Sequence, residues 1–359
     1  MDHGVLIFRG SSGKDSITYG QAGHRFEMLS HRPIETGRRC RRVGPGSGGG
    51  AFADTPFWIV CSKVHSTRWA LGRNNDEVET SKFMPGPYFM ASAPSVMRGG
   101  GGNDHLVGSF GHDVLIGGRG NDGIAGGRGQ DVFIGGAGDD SMGIAGNRLE
   151  PLSGSPGETF HGGPGNDAMR GGNGNDVLLG GPGDDGMAGG PGADRFVGGS
   201  GGDTIIGGGG SRDVLDYSAR TGAISVTDDG VANDGASGEG DNVMPADQSG
   251  VTHGTEIIEA GSGDDTIEMS GPRVRLHGNA GSDELLVDGG PGAAFGGPGD
   301  DTLTVSGALG RLRGGVGDDT LSSSDASADR DGCGPGTDDV TADATDVVNA
   351  NCENVTVTP

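Results

Sequence analysis

Aspartates recur every nine residues along much of this chain: Asp104, Asp113, Asp122, Asp131 and Asp140, then Asp167, Asp176, Asp185, Asp194 and Asp203. Each follows a glycine-rich turn. Residues 171–199 read GGNGNDVLLGGPGDDGMAGGPGADRFVGG, three copies of Gly-Gly-x-Gly-x-Asp followed by three residues of which the middle one is apolar. Carboxylates in such numbers can serve as acids, bases, nucleophiles or cation ligands, and the first three roles need partners. None accompanies them. The HExxH pattern is absent, and GGSGG at 198–202 fits GxSxG only inside a repeat rather than at a strand-to-helix elbow. GxGxxG matches carry no weight in a chain with 80 glycines. His105, His112 and His161 lack Cys or Glu neighbours at ligand spacing and read as surface residues.

The elements that position these aspartates follow from the same period. With 359 residues but only 4% aromatics, a conventional mixed core is excluded, and a strict nine-residue glycine period predicts a repeat architecture. The apolar eighth position falls at Leu106, Leu115, Ile124, Phe133 and Met142, and at Met169, Leu178, Met187, Phe196 and Ile205. Residues 144–161 span two periods, with Phe160 in phase and Glu158 in the aspartate slot, so 99–206 reads as twelve consecutive turns, two of them degenerate. A further turn, GGGGSRDVL from Gly207, carries Arg212 in the slot. The spacing restarts at 260 with Ile267, Leu276, Leu285, Ala294, Leu303, Leu312 and Leu321 at the apolar position. There the glycine-aspartate half appears only in alternate turns, at Asp265, Asp283, Asp301 and Asp319.

Alternation at eighteen residues implies two turns per coil. Six residues of turn and three of strand make half a coil, and stacked coils sit about 4.8 Å apart. Motifs nine apart then lie on opposite edges, and motifs eighteen apart are stacked. The predicted fold is all-β, a parallel β-roll (β-solenoid) of two parallel sheets with the eighth position pointing inward. Stacked carboxylates at that spacing repel by roughly 3–4 kcal/mol per pair at an effective dielectric near 20. A column of them needs counter-charge, and Ca²⁺ suits a flexible all-oxygen site better than Mg²⁺ or Zn²⁺. Metal binding would then be coupled to folding. Plain β-turns without metal are the alternative use of Gly-Asp pairs.

GGNGNDVLL, GGPGDDGMA and GGPGADRFV resemble the RTX, or haemolysin-type, calcium-binding repeat GGxGxDxUx, over roughly 99–215 and 260–340. The resemblance implies a parallel β-roll with Ca²⁺ between stacked turns, held by the aspartates and by main-chain carbonyls of the turns. Carried over by position, the metal ligands are Asp104, Asp113, Asp122, Asp131, Asp140, Asp167, Asp176, Asp185, Asp194, Asp203, Asp265, Asp283, Asp301 and Asp319. Pairs eighteen apart are 104/122, 122/140, 113/131, 167/185, 176/194, 185/203, 265/283, 283/301 and 301/319, which predicts about nine calcium sites. A gap is expected around 144–161, where Leu149 removes a site and Glu158 is a weak substitute, and one edge of the second roll is expected to be bare of carboxylates.

The expected domains are an N-terminal segment (1–98) of unassigned fold, either disordered or preceding the true start; a first roll (99–215); an acidic connector or cap (216–259); a second roll (260–322); and a C-terminal cap (323–359). AISV at 223–226 reads as a strand capping the first roll, the six acidic residues from Asp228 to Asp247 as a solvated loop with further calcium binding as the alternative, and PFWIVCSKV as a strand. RRCRR at 38–42 reads as solvated charge. The C-terminal segment resembles the closing part of actinobacterial calcium-binding repeat proteins, in which Asp338 again follows GPGT. Cys333 and Cys352 either form a disulfide stapling the last coil or remain thiols. The net charge of −25, lying almost wholly in 99–359, argues for cations as partners and against nucleic acid. No apolar run reaches the 18 residues of a transmembrane helix, and no signal peptide is evident. Val107, Ile116, Ile134, Leu179, Val197 and Ile206, at the ninth position, are expected to face outward as apolar stripes suited to docking or self-association, or simply as strand-forming residues. The resemblance implies a secreted, extracellular, non-enzymatic calcium binder. The alternatives are the calcium-binding module of a secreted hydrolase or toxin, and a surface adhesin or matrix component.

Overall fold

The computed structural model describes residues 94–108, 111–143, 157–210, 212–244, 254–307 and 309–359, together with the backbone of seven strands between Val5 and Thr80. Every assigned element is a β-strand, most of them three to six residues long. The fold is the parallel β-solenoid that the eighteen-residue alternation implies. Contacts divide the chain into two compact units, residues 1–185 and 186–359.

In the first unit, one sheet stacks Ser95–Gly101, Val114–Arg119, Val132–Ala137, Thr159–His161 and Val177–Pro182, all parallel. The opposing sheet stacks His105–Val107, Gly123–Ala125, Ser141–Gly143 and Ala168–Arg170. The eighth-position residues form two inward columns, Met97, Leu115, Phe133, Phe160 and Leu178 on one sheet and Leu106, Ile124, Met142 and Met169 on the other, all buried. Fully burying side chains of this size contributes about 1.5–3 kcal/mol each, which replaces the missing aromatic core. N-terminal strands extend both stacks: Ser66–Gly72 pairs parallel with Ser95–Gly101, and Glu77–Thr80 with His105–Val107. Phe57–Ser62 is a strand, and its antiparallel register with Cys40–Val43 sets Cys40 opposite Cys61. The side chains of RRCRR lie outside the described residues.

The interruption is handled differently from the expectation of two degenerate turns. Phe133 pairs with Phe160 and Met142 with Met169, each twenty-seven residues on rather than eighteen. The interval between stacked partners is therefore longer here by one nonapeptide. The phase of Phe160 survives because its ring stacks on Phe133 with centroids 4.4 Å apart. Leu149 lies outside the described residues.

In the second unit, one sheet runs Arg195–Ser200, Val214–Asp216, Ile257–Glu259, Arg275–His277, Ala293–Pro298, Arg311–Val316, Arg330–Gly332 and Val347–Val348. The direct pairing of Leu215 with Ile258 carries this sheet straight past the connector. The connector instead changes the opposite face. Asn242–Val243 closes the stack on Thr204–Ile206, while Ile224–Thr227 begins a new one that continues through Thr266–Ser270, Glu284–Asp288, Thr302–Val305, Thr320–Ser322, Asp339–Asp343 and Asn354–Thr358. AISV thus opens a sheet for the later turns rather than capping the earlier ones. A disulfide joins Cys333 to Cys352, with Cα atoms 5.2 Å apart.

Of the ninth-position residues, Ile116, Ile134, Leu179 and Val197 are half-buried and Ile206 is exposed, as strand alternation requires. Val107 departs from the expectation and is buried. No helix among the described residues is long and apolar enough to cross a membrane.

Phe160 bridges the interruption, so its truncation tests the registration. Phe160→Ala should destabilise the folded state by about 3–5 kcal/mol, read from the urea midpoint. A loss below about 1 kcal/mol would show that the stack does not close there.

Candidate metal centres in the stacked turns

Each strand is preceded by a turn whose sixth residue is the aspartate. The turn is glycine-rich because the backbone must reverse within bonding distance of the coil below. Gly118 and Gly120 have φ of 124° and 114°, and a Cβ on Gly118 would strike the Gly100 carbonyl. All fourteen expected ligand aspartates are buried, none more than 3% exposed.

Their hydrogen bonds follow one rule. The backbone N–H of each slot residue donates to Oδ1 of the slot aspartate one coil later. In the first unit, one edge runs Asp104 to Asp122 (2.7 Å), Asp122 to Asp140 (2.7 Å), Asp140 to Asp167 (2.8 Å) and Asp167 to Asp185 (2.8 Å). The other edge includes Ser95 to Asp113 (2.6 Å), Asp113 to Asp131 (2.8 Å) and Glu158 to Asp176 (2.7 Å). In the second unit, Asp265 to Asp283, Asp283 to Asp301 and Asp301 to Asp319 continue at 2.8, 2.9 and 3.0 Å. The expected pairs 176/194 and 185/203 have one member in each unit.

Oδ1 is thereby satisfied, and in Asp265 Oδ2 is satisfied too, by Gly261 N–H at 3.2 Å. In Asp122, Asp140, Asp167, Asp283, Asp301 and Asp319, Oδ2 is buried and accepts no hydrogen bond. An ionised oxygen in that position is costly unless a cation meets it. The space beside it is kept clear by the first glycine of the turn. A Cβ on Gly117 would overlap Asp122 Oδ2 and come within 2.7 Å of the Gly135 carbonyl oxygen, and one on Gly296 would do the same to Asp301 Oδ2 and the Gly314 carbonyl. Each cradle therefore sets a carboxylate oxygen against a carbonyl oxygen of the next coil. No three His, Cys, Asp or Glu side chains among the described residues gather into an all-side-chain site. A cation here draws on backbone oxygens, and a donor set of carboxylate and carbonyl oxygens suits a hard divalent ion with flexible coordination.

Electrostatics agree. Burial, the largest cause, pushes the carboxyls of Asp131, Asp140 and Asp301 up to about 7 and those of Asp185, Asp283 and Asp319 up to about 6. The N–H donated from the coil below opposes the rise, and neighbouring carboxylates add to it: Asp113 for Asp131, and Asp283 and Asp319 for Asp301.

The gap expected at 144–161 is closed, because Asp140 meets Asp167 directly. The structure also adds slot residues that the nine-residue spacing missed. Asp213, not Arg212, accepts from Asp194 N–H at 2.8 Å, and its Oδ2 is buried without a donor. Arg212 is absorbed as a one-residue insertion at φ 90°. Asp241, in the stretch read as a solvated loop, is 1% exposed and accepts from Asp203 N–H at 2.9 Å. The GEGD preceding strand Asn242–Val243 was the available signal. Asp338 accepts from Asp319 N–H at 2.9 Å. On the opposite edge of the later turns, Val274, Gly292 and Gly310 take the slot and supply only backbone carbonyls to the next coil.

Sequence comparison matches six segments, residues 98–133, 124–142, 157–187, 188–211, 253–268 and 295–325, to the RTX calcium-binding nonapeptide repeat (four copies). No curated protein matches the chain.

The raised carboxyls give a signed pH dependence in the absence of metal. A group whose folded-state value lies above its unfolded value of about 4 favours folding below that value and loses the contribution as pH rises through about 6–7. In chelator, the urea midpoint should therefore fall between pH 4.5 and 7.5. A midpoint that rises over this interval would contradict the assignment of buried, uncompensated carboxyls.

Proposed function

Since this chain carries RTX calcium-binding nonapeptide repeats in a parallel β-roll, we propose that it is a secreted, non-enzymatic calcium-binding protein whose fold is completed by Ca²⁺ between stacked turns. The observation that carries this reading is the repeated buried Oδ2 without a donor, facing a carbonyl of the next coil across a gap that only glycine leaves open. The ligands are the fourteen aspartates of the repeat together with Asp213, whereas Asp241 and Asp338 keep the slot with Oδ2 already accepting from the Tyr217 hydroxyl and from Gly334 N–H. The pairs 140/167 and 194/213 add to the nine that the nine-residue spacing implies.

Secretion follows from the ion. Extracellular modules of this ligand type work at Kd values of about 10⁻⁴–10⁻³ M, concentrations met outside the cell and not in the cytosol. The absence of an acid-base or nucleophilic constellation in the sequence supports a binding role, and the apolar ninth positions offer a surface for association.

Calcium counting tests the ligand assignment. Asp301 belongs to two stacked pairs, so Asp301→Asn should lower the calcium bound at saturation, by equilibrium dialysis of the full chain, by about two ions. Asp300→Asn, one residue away and exposed, should leave the count unchanged. Equal counts for Asp301→Asn and the unaltered protein would refute the reading.

A further inference from the structure

At the junction where Asn242–Val243 ends one stack and Ile224–Thr227 begins the next, one coil keeps the backbone rule of the repeats but fills the second carboxylate oxygen from within the protein. Asp203 N–H donates to Asp241 Oδ1 at 2.9 Å, as in the repeat turns. Asp241 Oδ2 accepts from the Tyr217 hydroxyl at 2.7 Å, whereas the same atom of Asp283, Asp301 and Asp319 has no donor. Tyr217 is 3% exposed. Burial, and after it the Asp241 carboxylate, hold the Tyr217 hydroxyl well above its ordinary value, so it stays a donor.

A positive charge accompanies the hydroxyl. The Arg220 guanidinium carbon lies 5.9 Å from the centre of the Tyr217 ring, and the group pairs with Glu239 at 2.6 Å and donates to the Gly199 carbonyl. Gly199 is the second residue of the turn that ends in Asp203, so the guanidinium meets a turn carbonyl. Arg220 also favours the ionised form of Asp241, against burial and against the charge of Glu239.

The other carboxylates around the junction are satisfied in the same way. Asp234 Oδ1 accepts from the Thr227 N–H at 2.7 Å and the Thr227 hydroxyl at 3.1 Å, and its Oδ2 accepts from Val243 N–H at 2.8 Å. Asp216 accepts from the Arg195 guanidinium and from Ser218 N–H. Glu239 takes Ala236 N–H on the oxygen that Arg220 leaves. The backbone is closed locally too. Ile224–Thr227 pairs antiparallel with Gly235–Ala236, and Asp234 and Asp241 exchange backbone bonds of 2.8 and 2.9 Å. Contacts this short in sequence cost little loop entropy, and Leu215, Ile224, Val226 and Val243 are buried beside them.

We propose that residues 214–243 are a metal-independent node of the second unit, in which the Tyr217 hydroxyl and the Arg220 guanidinium do for Asp241 what calcium does for the repeat aspartates. The node folds before the ion arrives, and calcium then extends order from it into the turns that follow. Asp234, Glu239 and Asp241 take no ion of their own, although the stretch that holds them is acidic. The contrast between node and repeats rests on the calcium reading above.

Hydrogen exchange of the full chain, followed by mass spectrometry at neutral pH, tests this. In chelator, peptides within 214–243 should exchange at least about tenfold more slowly than peptides within 278–322, and calcium should close that difference. Equally fast exchange of both in chelator would overturn the node and leave the calcium reading of the repeats intact. Equally slow exchange of both in chelator would remove both, since no stretch would then need an ion to fold. Tyr217→Phe keeps the ring and leaves Asp241 Oδ2 without its donor, so it should speed exchange of 214–243 in chelator by about tenfold or more. Unchanged exchange in that variant would also overturn the proposal.

Discussion

A buried carboxylate oxygen with no donor is the constraint on which the rest of this molecule depends. Stacking aspartates one coil apart sets like charges about 4.8 Å from each other, at a cost of roughly 3–4 kcal/mol per ionised pair at an effective dielectric near 20. The donated backbone N–H engages only Oδ1. An ion bound with Kd of about 10⁻⁴–10⁻³ M supplies about 4–5 kcal/mol, the same order as the repulsion it removes. Without the ion the two terms leave the column ionised and strained, or protonated. On the proposed reading, metal binding and folding are then thermodynamically one transition.

The sequence composition follows from that constraint. Glycine at the first position of each turn is a requirement of the cradle, since a Cβ on Gly296 would occupy the space between Asp301 Oδ2 and the Gly314 carbonyl. Glycine at positions two and four lets the turn reverse against the coil below. With so many residues committed to turns, the apolar core shrinks to one inward side chain per half coil in the first unit and to no more than two in the later strands, such as Ile267 with Met269 and Leu285 with Val287. Columns such as Phe196, Leu215, Ile258, Leu276, Ala294 and Leu312 carry the remaining burial. On the proposed reading, that thin core works together with the bound ions to hold the stack.

The nine-residue spacing made much of this legible. Spacing alone placed the inward residues, the two-turn coil and the fourteen repeat aspartates, because each copy repeats the same local geometry. Spacing failed where the chain leaves the period and the stack does not. Arg212 shifts the count by one residue, and the structure restores it by drawing Asp213 into the slot. The extra nonapeptide before Glu158 reversed the expected pairing, because the partner of Asp140 is set by the nearest coil in space and not by a fixed interval along the chain. Asp241 is the related case: its GEGD motif stands outside the nine-residue period, and its place in the stack comes from strand Asn242–Val243 and the N–H of Asp203. The burial of Val107 has no counterpart in the strand alternation.

The most direct test is far-UV circular dichroism of the full chain at neutral pH in chelator, followed by calcium and, separately, magnesium. Coupling of ion and fold predicts a marked gain of β signal with calcium, saturating in the range of about 10⁻⁴–10⁻³ M, and little change with magnesium, which dehydrates reluctantly and demands a tighter octahedral site. A spectrum already β-rich in chelator and unaltered by calcium would contradict the account, since the stacked aspartates would then be held without counter-charge.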